Sequence, residues 1–582
     1  MPSDDSTAKA QARLSQVQSH VQRSSERGEV KTRQRRKKDR SGDDELPADY
    51  SDILGQIKTL QRIAATPPTQ SRGYIRQKQA GKLWVRERVD ALLDPGSFKE
   101  VGSVSGEVKW KKVGYAREEP TDYVPSNNVQ GFGTLKGRRI VFTVDDFSLR
   151  AGHADGALYA KTLFIEDFAL AQKVPIVKLV DGSSGGGSVT TIEKEGWSYL
   201  PAIRNFNVVC KQLNAGIPNL GAVVGPAIGL GAARVVACHF SVMAADIGSL
   251  FNAGPNVVAN ATFEEGLAFT DLGGPMMHCT NGTIDNIAPN EAACYEQIRN
   301  IIQYLPNHGL EAPPIIPCDD PDDRSTPSMR TLIPRRRERM FPAHKLLEIV
   351  DKGSWFEIGA LWGRTAICGL ARLAGRPVGV IINNSEVNGG ALDTPGSQKL
   401  TRHLKFLDVF NIPLIQFIDV PGFAIGTKAE REATMRHGVN LTGAYCGTTM
   451  PVFNVVTRKA YGVAGQIMIA AREPRTMVAW PSGEWGSLPL AGGVEVGHAY
   501  ELKQIEKEKG PEARKARYDE LMELYKRLQN PVRTANAFGV EEIVDPADTR
   551  HILCTWIRHV YDTLMPIRIM DRANGKINPV FY

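Results

Sequence analysis

Two short runs of small residues are the part of this sequence best suited to chemistry. The first is Gly229–Ala232, with the sequence GLGA, and the second is Gly462–Gly465, with the sequence GVAG. Each follows an apolar, strand-like run and precedes a helix-forming segment, so it predicts a strand-to-helix turn. Small residues let a ligand approach the backbone there, and free N–H groups at such a turn can stabilise a developing oxyanion. The alternative is tight packing without a ligand; the repetition of the turn favours the catalytic interpretation.

A second glycine-rich loop follows an aspartate in each part of the chain. The sequence DGSSGGG begins at Asp181, and DVPGF begins at Asp419. Loops beyond the carboxyl ends of strands are where open α/β folds bind ligands. Neither loop has the spacing of a phosphate-binding P-loop or of a dinucleotide-binding turn, and the chain has no GxSxG nucleophile motif. His437 follows the second loop closely and is a candidate ligand contact, although a single histidine is more often structural.

These motifs occur in an internal repeat. Residues 137 and 375, 161 and 399, 175 and 413, and 181 and 419 are paired landmarks that all differ by 238 in number. After a small length change, residues 218 and 451 and residues 229 and 462 differ by 233. A constant offset over several landmarks predicts duplication of one α/β unit, in which β-rich runs alternate with helices.

The remaining segments suggest how these units are arranged. Residues 1–48 are polar and charged and predict a disordered basic tail. Apolar residues at helical spacing predict helices over about 50–95. We expect an amino-terminal domain over 49–320 and a carboxyl-terminal domain over 321–582. Prolines and aspartates crowd residues 305–340, which predicts a linker there.

Composition excludes several other classes of protein. The 582 residues are 42% hydrophobic and 23% charged with a net charge of +7, which is ordinary for a globular chain. No apolar run is long enough to span a membrane. The eight cysteines form no CxxC pair and predict reduced thiols, and no metal site is indicated. The basic run at residues 33–40 lacks the motifs that specific nucleic-acid binding would require.

The repeat and its motifs together resemble a known family. The runs FIDVPGF from Phe417, RHG from Arg436 and TRKAYG from Thr457 are similar to the carboxyltransferase subunits of biotin-dependent acyl-CoA carboxylases, from about residue 75 to the C-terminus. The resemblance implies a duplicated crotonase-type (ClpP/crotonase-like) α/β fold with two homologous domains. It also implies that the first domain holds acyl-CoA, that the second holds biotin, and that each active site joins two chains.

The resemblance further implies roles for individual residues. The catalytic backbone groups would be those of Gly229 and Leu230, toward the thioester oxygen, and of Val463 and Ala464, toward the biotin carbonyl. The other implied contacts are Gly185, Gly186, Gly231 and Gln466 for the acyl-CoA substrate and Gly422, Phe423 and Gly462 for biotin. Gln466 stands where propionyl-type members often carry an acidic residue, so it is expected to tune acyl-chain preference.

The expected reaction moves CO2 from carboxybiotin, carried by a biotin carboxylase or carrier subunit, to the α-carbon of an acyl-CoA. The expected assembly is a homo-oligomer, by resemblance a hexamer, in the cytoplasm or the mitochondrial matrix. Two alternatives stay open: a stand-alone crotonase-fold acyl-CoA decarboxylase or pathway-specific carboxylase, and a non-catalytic scaffold paralogue in a carboxylase complex.

Overall fold

The computed structural model describes residues 47–114, 117–152, 159–183, 189, 192–193, 196–198, 204–336, 338–471 and 474–579. Within these residues the chain divides into two compact units. The small unit combines residues up to Thr59 with Lys109–Asp122, and the main unit comprises Leu60–Val108 and everything from Tyr123 onward. Residues 1–46, nearly all of the predicted disordered tail, lie outside the described residues.

Alternating helices and strands fill the described chain, as the sequence predicts. The strands are β1 Lys99–Glu100, β2 Gly106–Gly114, β3 Arg117–Pro125, β4 Asn128–Leu135, β5 Arg138–Asp145, β6 Ile176–Gly182, β7 Asn219–Ile228, β8 Phe240–Ala244, β9 Ser249–Phe251, β10 Asn286–Ala288, β11 Phe356–Glu357, β12 Ala366–Leu373, β13 Arg376–Asn383, β14 Leu414–Val420, β15 Val452–Tyr461, β16 Met477–Ala479 and β17 Glu484–Gly486. The helices are α1 Ser51–Ala65, α2 Arg72–Gln79, α3 Val85–Leu92, α4 Tyr159–Gln172, α5 Arg204–Asn214, α6 Leu230–Val236, α7 Pro255–Thr262, α8 Phe269–Gly273, α9 Pro275–Thr280, α10 Glu291–Ile301, α11 Met329–Leu332, α12 Thr394–Val409, α13 Thr427–Arg431, α14 Thr434–Gly447, α15 Gly462–Ala470, α16 Leu490–Gly497, α17 Ala499–Leu528, α18 Pro531–Asn536, α19 Thr549–His559 and α20 Met565–Ala573.

Two sheets organise the main unit, and their strand orders match except for β10, an additional strand at the edge of the first sheet. The first has the strand order β1-β4-β5-β6-β7-β8-β10, with β9 pairing β7, and the second has the order β11-β12-β13-β14-β15-β16, with β17 pairing β15. In each sheet an antiparallel hairpin leads into parallel strands. The central strands β6 and β14 are buried along their whole length, which explains their mainly apolar sequences. Each also buries two polar or charged residues, Lys178 and Asp181 in β6 and Gln416 and Asp419 in β14.

Strand register confirms the duplication residue by residue. In the first sheet Ile176 pairs with Asn219, and the register shifts between Val180 and Gly182. In the second sheet Leu414 pairs with Val452, and the register shifts between Ile418 and Val420. The pairs again differ by 238 on one strand and 233 on the other, so even the irregularity is duplicated. The α/β fold with two homologous halves is therefore confirmed.

The two halves meet in a shared core. The rings of Phe240 and Phe356 lie 5.5 Å apart, those of His239 and Phe410 lie 4.5 Å apart, and buried aliphatic residues of both sheets form one cluster. Both sheets belong to the main unit, so the domain boundary at residue 320 stays a prediction. Between residues 305 and 340, the described residues contain one short α-helix, α11.

Candidate functional site

Both predicted turns lie where a buried parallel strand passes into a helix. Gly229 follows β7 with a φ of 54°, and Gly462 follows β15 with a φ of 59°. This left-handed backbone is strained for residues with a side chain, which explains glycine at both positions. A Cβ atom would lie 3.5 Å from the Asn252 oxygen at Gly229 and 3.4 Å from the Ser487 oxygen at Gly462, which is ordinary van der Waals contact. The positive φ, rather than crowding, therefore favours glycine at both positions.

The next positions of the two turns differ in packing. The Gly231 N–H donates to the Ser183 carbonyl oxygen at 2.7 Å, and a Cβ atom at Gly231 would lie 2.3 Å from the Gly182 oxygen. The equivalent Ala464 is buried and has room for its methyl group, whereas the neighbouring Val463 is 55% exposed. The first turn is thus pressed against the loop after β6, and its Gly231 amide is already occupied.

The two glycine-rich loops are described to different extents. Gly185 and Gly186 lie outside the described residues. In the second loop, Gly422 accepts from the Leu392 N–H at 3.0 Å, and Phe423 packs its ring over Gly438, where any Cβ would lie 2.7 Å from that ring. The loop is therefore held to α14 and to the segment before α12.

Gln466 and His437 occupy accessible positions in the second half. Gln466 is exposed in the first turns of α15. His437 is half-buried on α14 and its ring nitrogens lie 3.4 Å from the Gln398 side-chain amide. Neither contact identifies a ligand.

A buried ionic cluster surrounds the aspartate at the end of β6. Lys82 Nζ lies 2.9 Å from Asp181, and Arg88 Nη1 lies 2.8 Å from it. Arg88 also contacts Glu291 at 2.9 Å and donates to the Val224 carbonyl oxygen at 2.7 Å. Burial acts to lower the pKa of Arg88, but the carboxylates of Asp181 and Glu291 outweigh it and raise that pKa. The cluster fixes the strand end that precedes the first glycine-rich loop.

The equivalent Asp419 takes its cation from the neighbouring strand. Arg458 on β15 donates to both carboxylate oxygens, with distances of 3.0 and 2.7 Å. Its guanidinium also lies over the Phe341 ring and donates to the Arg339 oxygen at 2.7 Å. The repeat pairs Arg458 with Gly225, where a Cβ would lie 2.0 Å from Asp181, so the first half has no room for this arrangement.

Two lysines at paired positions make the same contact. Lys161 Nζ donates to the Asn128 oxygen at 2.7 Å, and Lys399 Nζ donates to the Ala366 oxygen at 2.8 Å. Burial lowers the pKa of Lys161 to about 8 and also lowers the pKa of Lys399. These lysines join α4 and α12 to the hairpin at the start of each sheet.

Sequence reasoning missed the residues that hold the two aspartates. Lys82, Arg88 and Glu291 lie before or after the repeated landmarks, so the offset does not reveal them. One signal was available. The repeat pairs Arg458, the cation beside Asp419, with Gly225, which has no side chain. A cation beside Asp181 therefore has to come from another element.

Comparison with known proteins identifies the family. The carboxyl transferase domain family matches residues 76–571. The mitochondrial propionyl-CoA carboxylase beta chain of Sus scrofa is 33% identical, over 82% of this chain and 85% of that protein. The methylmalonyl-CoA decarboxylase subunit alpha of Veillonella parvula is 30% identical, over 82% of this chain and 89% of that protein.

A solved structure extends the match to three dimensions. The transcarboxylase 12S structure, described as a hexamer with methylmalonyl-coenzyme A and methylmalonic acid bound, has a TM-score of 0.76 and 26% identity and covers 89% of this chain and 97% of its own. The duplicated fold, its paired turns and these matches lead to one conclusion. The chain belongs to the family of carboxyltransferase subunits of acyl-CoA carboxylases.

Proposed function

We propose that this chain transfers a carboxyl group between carboxybiotin, carried by a partner protein, and the α-carbon of an acyl-CoA. The observation that carries the proposal is the pair of equivalent turns, with positive-φ glycines at 229 and 462, where a buried parallel strand passes into a helix. Carboxyl transfer develops negative charge on the thioester oxygen and on the biotin carbonyl oxygen, so it needs two groups of hydrogen-bond donors. A duplicated turn supplies two.

The amino-terminal turn is assigned to the acyl-CoA. In this proposal the backbone of Gly229 and Leu230 faces the thioester oxygen and Leu230 supplies the donor, because the Gly229 N–H already donates to the Phe251 carbonyl oxygen at 3.0 Å. Gly231 shapes the turn through its bond to Ser183. Gly185, Gly186 and Gln466 complete the acyl-CoA contacts. Removing one backbone donor from such a site costs about 3–4 kcal/mol of transition-state stabilisation.

The carboxyl-terminal turn is assigned to biotin. Val463 and Ala464 present their backbone groups to the biotin carbonyl, while Gly462, Gly422 and Phe423 border the ring. The contacts of Phe423 with Gly438 keep this border in place. When bound, carboxybiotin supplies the CO2; this chain orients the acceptor and stabilises the charge.

A homohexamer with a biotin carboxylase or biotin carrier partner is the proposed assembly. Large apolar side chains stay exposed in both halves of the chain, which supports coverage by another copy. They are Val257, Phe263, Phe269, Met276 and Met277 in the first half and Ile425, Met435, Val439 and Val463 in the second. The hexameric transcarboxylase 12S supports the same stoichiometry.

Among the residues described, none of the helices is both long and apolar enough to cross a lipid bilayer. We place the protein in the cytoplasm or the mitochondrial matrix, a proposal supported by the mitochondrial relative.

Decarboxylation of an acyl-CoA is a second candidate, favoured by the Veillonella relative. The same turns would stabilise the same charges with CO2 moving in the opposite direction. A scaffold role without catalysis is the third possibility.

The test uses the full chain with a biotinylated partner captured from the same cells by streptavidin. Carboxylation of an acyl-CoA panel and CO2 release from malonyl-type CoA esters are both measured. Leu230→Pro and Ala464→Pro each delete one donor and should lower turnover about 100- to 1000-fold. Val463→Gly changes the same turn without deleting a donor and should keep most activity. Normal turnover in either proline variant would show that the turn is a packing feature.

A further inference from the structure

A second buried ionic cluster lies beneath the amino-terminal turn. Arg234 lies 3.5 Å from Asp145 and 3.6 Å from Glu166, and Lys178 Nζ lies 3.6 Å from the same Glu166 oxygen. All four residues are at most 5% exposed. Burial of this many charges is costly unless each is paired, so the cluster constrains the elements that carry it.

The four residues come from four elements around the turn. Asp145 ends β5, Glu166 lies in the middle of α4, Lys178 lies in β6, and Arg234 lies on α6 one helical turn after Leu230. Arg234 therefore gives α6 an ionic link to β5 and α4, in addition to the Gly231 bond to Ser183 and the apolar packing of Ala232 and Val235. Burial acts to lower the pKa of Arg234, but Asp145 and Glu166 together raise it, so the guanidinium stays charged.

The carboxyl-terminal half has neutral residues at all four paired positions. They are Asn383, Leu404, Gln416 and Ile467. There, Gln416 donates to the Asn454 side chain at 2.7 Å and to the Met468 carbonyl oxygen at 3.1 Å, and so holds α15 through amide hydrogen bonds. The two turns share a backbone but are anchored by different chemistry.

We propose that Arg234 is a positioning residue, which holds α6 and the Gly229–Gly231 turn at the place where the acyl-CoA reacts. The expected effect on turnover rests on the proposed function, whereas the expected effect on the position of α6 does not. Two observations support the proposal. Arg234 is buried between carboxylates from two other elements, and the Glu166 carboxylate makes no hydrogen bond within the described part of the chain, so its neighbouring cations Arg234 and Lys178 are what balance its charge. Arg234 thus links α6 to Asp145 at the end of β5 and to Glu166 on α4.

The experiment replaces the four charged residues of the first half with the residue types found at the paired positions of the second half. Arg234→Ile alone removes the tie, and the set Asp145→Asn, Glu166→Leu, Lys178→Gln and Arg234→Ile removes two charges of each sign. The inserted amides lack the partners that Gln416 has, because Asn454 and Met468 are paired with Gly221 and Val235 in the first half. Arg234→Lys keeps the charge and serves as the conservative variant.

Two readouts separate positioning from general stability. Hydrogen–deuterium exchange of residues 229–236 should become at least about tenfold faster in both isoleucine variants, with residues 462–470 unchanged as the internal reference. With acyl-CoA as the varied substrate, kcat should fall about tenfold while KM stays within about twofold, because an interaction made in the transition state is lost. Arg234→Lys should keep most of the wild-type protection from exchange and most of the wild-type kcat.

Unchanged exchange in residues 229–236 would overturn the inference, as would a fourfold variant whose kcat is normal. A wild-type chain without carboxyl transfer would overturn the proposed function instead. In that case the exchange data still decide whether Arg234 holds the turn.

Discussion

The two halves of the molecule hold the same buried aspartate in different ways. Asp181 is paired with Lys82 and Arg88, from outside the sheet, whereas Asp419 is paired with Arg458 from the adjacent strand. Backbone features, by contrast, are duplicated: the left-handed glycines and the register shift recur at the same offsets. The difference shows that the backbone of the site was retained while its buried charges were rearranged.

The largest loss of stability is expected at position 225, where the arrangement around Asp181 leaves no room for a side chain like that of Arg458 beside Asp419. Gly225→Ala places a methyl group 2.0 Å from the Asp181 carboxylate and should disturb its whole ionic cluster. Overpacking and a disrupted buried ion pair together should lower the free energy of unfolding by about 4 kcal/mol. Chemical denaturation measures it. Gly443→Ala, in open space on α14, is the matched control and should raise stability by up to about 1 kcal/mol, because alanine favours a helix over glycine. Equal stability of the two variants would contradict the comparison.

Removal of the second-half cation should have the next largest effect. Arg458→Met leaves Asp419 buried with the Lys459 N–H as a remaining donor at 3.2 Å, and should cost about 3 kcal/mol. The double variant Asp419→Asn and Arg458→Met removes the stranded charge and should recover part of this loss. If the double variant is as unstable as the single one, charge is not what Arg458 provides.

The paired lysines offer a pH test. The pKa of Lys161 is about 8 when folded and 10.5 in the reference state, so the unfolded chain binds more protons between these values. The contribution of Lys161 to stability should therefore rise by about 2 kcal/mol from pH 8 to 10.5 and stay flat just below pH 8, where the cost of burying the charge is fully present. Lys161→Met should remove this rise in denaturation measured across the range. Lys428→Met, at an 88% exposed side chain, should leave it intact.

The smallest effect concerns acyl-chain choice. Gln466→Asp should change relative carboxylation rates across an acyl-CoA panel roughly threefold to tenfold, about 1 kcal/mol, because an exposed side chain contributes a modest contact. Glu508→Gln, on exposed α17, should leave the ratios unchanged. Identical ratios for Gln466→Asp would remove Gln466 from the acyl pocket.

The fold could be predicted from the repeat because the repeat is visible in short stretches of the sequence. Paired strands, prolines and glycines recur at fixed spacing, so positions such as Gly229 and Gly462 could be matched before their φ angles were known. The ionic clusters could not be predicted in this way. Arg88 meets Asp181 across 93 residues, and Arg234 meets Glu166 only through packing, so neither pair leaves a pattern in the sequence.

The duplicated register shift has an evolutionary consequence. A shift at the same step in both sheets is most simply inherited, which implies an ancestral gene that encoded one half. The product of that gene would have had one kind of turn for every ligand. In an assembly of identical chains, a mutation in that turn would have changed every site. Gene fusion removed that constraint: Leu230 and Val463 can now mutate separately, so each half can specialise without compromising the other.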